Sequence, residues 1–123
     1  MILGDLFSAK MQHDPGVISA KLTLNAEHPI FAGHFPGQPV VPGVCMMLLM
    51  RELLEEALGQ PLRLLSADHA KFLTMLRPGD TVEAELRYTA DLKVTARLFN
   101  QAATFFKYQA TFIGAEGAST TPF

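Results

Sequence analysis

Gly33-His34-Phe35-Pro36-Gly37-Gln38-Pro39-Val40-Val41-Pro42-Gly43-Val44, followed at once by Cys45-Met46-Met47-Leu48-Leu49-Met50, is the stretch on which the fold turns. Prolines at 36, 39 and 42 fix φ, and glycines at 33, 37 and 43 permit close backbone approach, so residues 29–43 read as a stiff loop. That loop holds one titratable side chain, His34, and delivers Pro42 and Gly43 to a helix start, where the first N–H groups lack intrahelical partners. An imidazole beside a helix N-terminus sets a base next to a place that favours negative charge. The pairing suits proton chemistry beside a carbonyl.

Working outward, Val44 to Leu58 reads as a helix stopped by Gly59, with Pro61 just beyond. Its first two turns are apolar all round, so they are expected to be buried on every side; a polar face begins only at Arg51-Glu52 and Glu55-Glu56. Upstream, residues 5–13 and 16–24 read as strands joined at His13-Asp14-Pro15-Gly16. Downstream, strands are expected near 62–76, 81–90, 93–99 and 103–113, with turns at Pro78-Gly79-Asp80 and Ala90-Asp91-Leu92. Two strands, one buried helix and four strands make an α+β domain, an antiparallel sheet curled around one long central helix. The expectation is a single domain over 1–123, with 115–123 as a loose tail.

Composition narrows the function classes. Hydrophobic residues make up 49% of only 123 residues, more than one small core uses, which points to a subunit interface or a ligand tunnel. The net charge is -2 with Lys and Arg scattered singly, which speaks against nucleic acid and membrane surfaces as partners. A lone Cys45 rules out an internal disulfide framework and fits a reducing compartment. The start Met1-Ile2-Leu3-Gly4-Asp5-Leu6-Phe7 lacks the basic region of a signal peptide, and no apolar run reaches the roughly 20 residues that span a bilayer. The expected location is the cytoplasm. No His or Cys pair has the usual spacing of a zinc site.

Two motifs carry a resemblance. Gly33-His34-Phe35-Pro36-Gly37-x-Pro39-x-x-Pro42-Gly43-Val44, and then Asp68-x-Ala70-Lys71-Phe72 with Arg77-Pro78-Gly79-Asp80, resemble in order and spacing the hot-dog-fold β-hydroxyacyl-acyl-carrier-protein dehydratases of fatty acid synthesis. The resemblance covers residues 16–113 and implies a hot-dog fold, a homodimer or higher even oligomer, and an acyl-thioester substrate on acyl carrier protein or coenzyme A. It implies no cofactor and no metal. It assigns His34 as the acid/base, the Val40 carbonyl as the acceptor that orients its imidazole, and the Gly43 N–H as donor to the thioester oxygen. Phe35, Val40, Val44, Leu48, Lys71 and Phe72 are the implied substrate-lining residues.

The chain departs from that family at one decisive position. The family's helix acid stands fourteen residues after its His, and here that residue is Leu48. Glu52, four residues on and on the same helix face, is the candidate replacement, although a carboxylate opening a helix's polar half is by default solvated or at an interface. Alternatively, His34 takes the α-proton and returns it to the β-hydroxyl unaided. Two other readings follow from the same gap: thioester hydrolysis with Glu52 activating water, or an acyl-binding subunit whose partner supplies the carboxylate. Basic residues that many relatives carry at the positions of Leu73 and Thr74, where an acidic carrier protein docks, are absent, and Lys71 and Arg77 remain. Cys45, in an apolar helix, reads as packing, as do Met46, Met47 and Met50.

Overall fold

The computed structural model describes residues 2–33 and 39–115. Phe7–Asp14 (β1) and Val17–Leu24 (β2) form a hairpin around Pro15-Gly16. Gly16 has φ of 78°, the left-handed position that a Pro-Gly turn of type II requires. Alternation then sorts the faces of β2: Ile18, Ala20 and Leu22 are buried, while Ser19, Lys21 and Thr23 are exposed. A single helical turn, Ile30–Gly33 (α1), stands inside the proline/glycine stretch expected to be loop, and the Ile30 N–H donates to Nδ1 of His28 at 3.1 Å.

The central helix is Gly43–Leu58 (α2), 16 residues long. Pro42 precedes it in extended geometry, and Gly59 ends it in the left-handed conformation with its N–H on the Glu55 carbonyl at 2.8 Å. Leu62–Phe72 (β3), Val82–Tyr88 (β4), Lys93–Phe99 (β5) and Thr104–Gly114 (β6) complete a six-stranded sheet of order β1-β2-β4-β5-β6-β3, antiparallel throughout. This is the expected antiparallel sheet with one long helix. The strand expected over 62–76 stops at Phe72, because the N–H groups of Leu73 and Thr74 both turn to the Phe105 carbonyl. The chain then folds back so that the buried Leu76 accepts from the Val41 N–H at 2.8 Å, which ties the approach to α2 down from below.

The core joins the inner face of the sheet to Cys45, Met46, Leu49, Met50, Leu53 and Leu54 of α2, each such burial contributing roughly 1.5–3 kcal/mol. The expectation that the first turns of α2 are buried on all sides is corrected here. Val44 is 62% exposed, and Met47 and Leu48 are only half-buried. At 3.6 residues per turn, Val44, Leu48, Arg51 and Glu55 share one stripe, and the sheet of a single chain covers only the opposite one. The edge strand β3 is the other open surface: beyond Leu62 its residues are exposed on both faces, and two register shifts, at Leu64/Ser66 and Ala67/His69, bend it.

Candidate active site

The two sequence motifs meet at the start of α2. Gly43 is its first residue, and the ring of Phe72, the last residue of β3, lies directly against it. A Cβ on residue 43 would stand 2.8 Å from Cε1 and 2.9 Å from Cζ of that ring. Glycine therefore lets the Phe72 ring approach this closely, with no contribution from an unusual φ. Neither the Gly43 nor the Val44 N–H reaches an acceptor among the described residues, and Pro42 offers no side-chain cap. Unpaired donors at a helix N-terminus hold developing negative charge well. The buried Val40 lies three residues before Gly43, and no donor among the described residues reaches its carbonyl. His34 and Phe35 lie outside the described residues.

This contact carries a first prediction. Gly43→Ala is expected to lower kcat/KM by at least about tenfold while the fold stays intact, because the half-exposed Phe72 ring can swing away from the new methyl but the donor geometry is disturbed. Combining Phe72→Leu with Gly43→Ala should restore part of the rate; steady-state kinetics on the single and double variants check this.

The other candidates are distributed unevenly. Val44 and Leu48 both lie on the open stripe of α2, next to Gly43 and one turn on. Leu48, expected in the core, is half-buried instead. Lys71 does not join this cluster: it faces Lys107 across the β3–β6 ladder on the outer side of the sheet, while its neighbour Phe72 pairs with the buried Phe106 inside. Phe72 stacks on Phe106 with ring centroids 4.8 Å apart, which holds it at the helix start.

Glu52 is in a different environment from the one its sequence position suggests. It is 6% exposed, the one buried charged residue of the described core. Oε2 accepts from the Ile2 N–H at 3.1 Å and Oε1 from the Leu3 N–H at 2.8 Å. Nine residues also separate it from Gly43, about 13 Å along the helix axis. The N-terminal segment it holds is tightly knotted, with the N–H groups of Asp5, Leu6 and Phe7 all pointing at the Ile2 carbonyl. The next carboxylate, Glu55, is also engaged: Oε2 accepts from the Leu62 N–H at 2.8 Å, and Oε1 lies 3.8 Å from Nε of Arg51. Burial pushes the Cys45 thiol up, which makes it a poor nucleophile at neutral pH.

Sequence reasoning missed two features: the anchoring of Glu52 by backbone donors and the Gly43–Phe72 contact. The first has no signal in the sequence, since any two residues present the same N–H groups. The second was available only as two motifs far apart along the chain.

Comparison with known proteins identifies relatives of this chain. A family model described as "ApeI-like: ApeI dehydratase" matches residues 10–110. The chain is 30% identical over 107 residues to the 3-hydroxyacyl-acyl-carrier-protein dehydratase FabZ of Syntrophobacter fumaroxidans, covering 80% of this chain and 69% of that protein. It is 40% identical over 77 residues to the FabZ of a Caulobacter species, covering 55% of this chain and 46% of that protein. The chain spans about half the length of several of the curated relatives it matches. Among solved structures, the dehydratase heterocomplex ApeI:P of Xenorhabdus doucetiae superposes with a TM-score of 0.73 at 22% identity, over 85% of this chain and 97% of that one. The PaaI protein of E. coli superposes with a TM-score of 0.63 at 16% identity, over 88% and 78%. At those identities the structural likeness shows a shared hot-dog fold.

Proposed function

This chain belongs to the ApeI-like dehydratase family, and from that premise we propose that it dehydrates 3-hydroxyacyl thioesters carried on acyl carrier protein or coenzyme A. The observation that carries the reading is the junction of the two motifs: a glycine-started helix with unpaired N–H groups, packed under Phe72 and nine residues downstream of a histidine. In the proposed step His34 removes the α-proton, and negative charge gathers on the thioester oxygen facing the Gly43 N–H. The α,β double bond then forms as the β-hydroxyl leaves, taking the proton back from His34 and departing as water. The Val40 carbonyl sets the imidazole's orientation. Val44 and Leu48 line the acyl path beyond Gly43. The expected location is the cytoplasm; no helix of the described residues is long and apolar enough to cross a membrane.

Glu52 serves the fold in this reading, because both its oxygens already hold backbone donors. That same observation favours a second reading, in which the acid missing at Leu48 is supplied by a second, different hot-dog chain placed against the open stripe of α2. The two readings separate in one assay. The purified chain alone, given a 3-hydroxyacyl thioester, should release water and form the conjugated enoyl product without freeing thiol. Activity only after adding a second chain supports the shared site, and thiol release from a thioester without a β-hydroxyl would mean hydrolysis.

The proposed oligomer is a dimer built on β3. Its edge donors and acceptors are unpaired along an exposed strand, Leu65 is 62% exposed on it, Leu73 and Met75 just after it in the chain are more than half exposed, and so is Val44, next to the Gly43 that Phe72 touches. An edge of this kind pairs with another strand unless it is blocked. Leu65→Lys is expected to shift the protein to a monomer in sedimentation velocity; an unchanged dimer would place the interface elsewhere.

A further inference from the structure

The outer face of the sheet, away from α2, carries a groove that the proposed reaction does not use. It is a concavity of about 430 Å³, lined by His69 and Lys71 of β3, Lys107 of β6, Arg97 of β5 and Glu85 and Arg87 of β4, with Thr95 and Gln109 between them. The strand register explains how charge gathers there. Lys71 stands directly opposite Lys107, Lys107 opposite Arg97, and Arg97 opposite Glu85. Three cations therefore sit side by side on three neighbouring strands, in a chain whose net charge is -2. Like charges directly opposed across strands are destabilising, so this row costs the fold rather than supporting it.

The one carboxylate of the groove relieves only the Arg97 end of that row. Glu85 Oε1 lies 3.6 Å from Nε of both Arg87 and Arg97, and Arg97 is also held over the Phe99 ring at 3.9 Å. Lys71 and Lys107 have no ion-pair partner among the described residues. The arrangement is two arginines sharing one acid through exposed ion pairs and two lysines with no ion-pair partner among the described residues. Planar guanidinium forks beside mobile ammonium groups are the mixed donor set that recognises phosphate oxygens. The concavity is of small-molecule size, whereas a protein partner needs roughly 800 Å² of matching surface on each side.

We propose that this outer groove binds a compact polyphosphate group, separately from the thioester site around Gly43. Two sources share that chemistry: a free polyphosphate such as a nucleotide, and the phosphorylated nucleotide end of coenzyme A. The test is calorimetric titration of the purified chain at low salt with pyrophosphate, ATP and coenzyme A in turn. At least one should bind saturably, with affinity falling as salt is raised. The Lys71→Ala, Lys107→Ala double variant should weaken that binding at least tenfold, and Lys10→Ala, outside the groove, should leave it unchanged. Lys107→Glu supplies a readout that misfolding cannot mimic: it sets an acid between Lys71 and Arg97, so binding should be lost while the thermal midpoint rises. Coenzyme A binding more tightly than ATP assigns the groove to the thiol carrier; ATP or pyrophosphate binding as tightly assigns it to a free polyphosphate. No saturable binding of any of the three at millimolar concentration, or binding indifferent to the lysine pair, overturns the proposal. None of these readouts depends on dehydratase activity, so the groove and the reaction stand or fall apart.

Discussion

His34→Ala is expected to lower turnover of a 3-hydroxyacyl thioester by about a hundredfold or more, with the melting temperature close to that of the wild type. A positioned general acid/base contributes about 10²–10⁴ in rate, and in the proposed mechanism the imidazole serves both directions of proton transfer. The family's helix carboxylate is Leu48, and the nearest carboxylate on α2 already accepts two backbone hydrogen bonds. Among the described residues of α2 no second group is therefore placed to keep a residual rate high. His34→Gln, which retains a hydrogen-bonding side chain but cannot accept a proton at neutral pH, should be nearly as inactive. A His34→Ala variant within threefold of wild type would remove the imidazole from the mechanism.

Glu52→Leu is expected to destabilise the fold by about 2–5 kcal/mol, the largest stability effect foreseen for a single substitution here. The part-buried Ile2 and Leu3 N–H groups are left without acceptors, and an unsatisfied donor costs up to roughly 1–3 kcal/mol where water is kept out. Against a total stability of about 5–15 kcal/mol, that lowers the melting temperature by roughly ten degrees. Glu52→Gln keeps one acceptor and turns an amide toward the other N–H, so its cost should fall between wild type and Leu. Deleting residues 2–5 provides the control, because the truncated chain has no donors for Glu52 to hold and Glu52→Leu should then cost little. Denaturant unfolding of the four proteins measures the coupling. Full stability in Glu52→Leu would return the carboxylate to the list of candidate acids.

How far the fold could be read from the residues differs by element. The alternation in β2, the Pro15-Gly16 turn, the Gly59 stop and the order of the four later strands each follow from a local rule, and each is found as expected except for the far end of β3. Tertiary features were harder. The apolar start of α2 suggested burial all round, yet the stripe of Val44 and Leu48 faces out of the chain, because periodicity shows that a surface is apolar and not what covers it. The early end of β3 depends on Phe105 capturing two N–H groups, a contact between segments distant in sequence. The two bulges of β3 have no composition signal at all.

The site shows the same division. Gly43 and Phe72 could be named from their motifs, and their contact gives Gly43 a steric reason as well as the implied electronic one. Lys71 belongs to the same motif as Phe72 but points through the sheet to the other side, since successive strand residues face opposite ways. Glu52 was a candidate because it sits one turn below Leu48. Its real constraint comes from the N-terminal segment, fifty residues away in sequence.

The most direct measurement is hydration of a 2-enoyl thioester by the purified chain with no second protein present, following the conjugated enoyl absorbance. A His34-acid/base site completed by the Gly43 N–H predicts saturable, enzyme-dependent loss of that absorbance with formation of the 3-hydroxyacyl thioester. No turnover on short or long acyl chains, on either carrier, would contradict it.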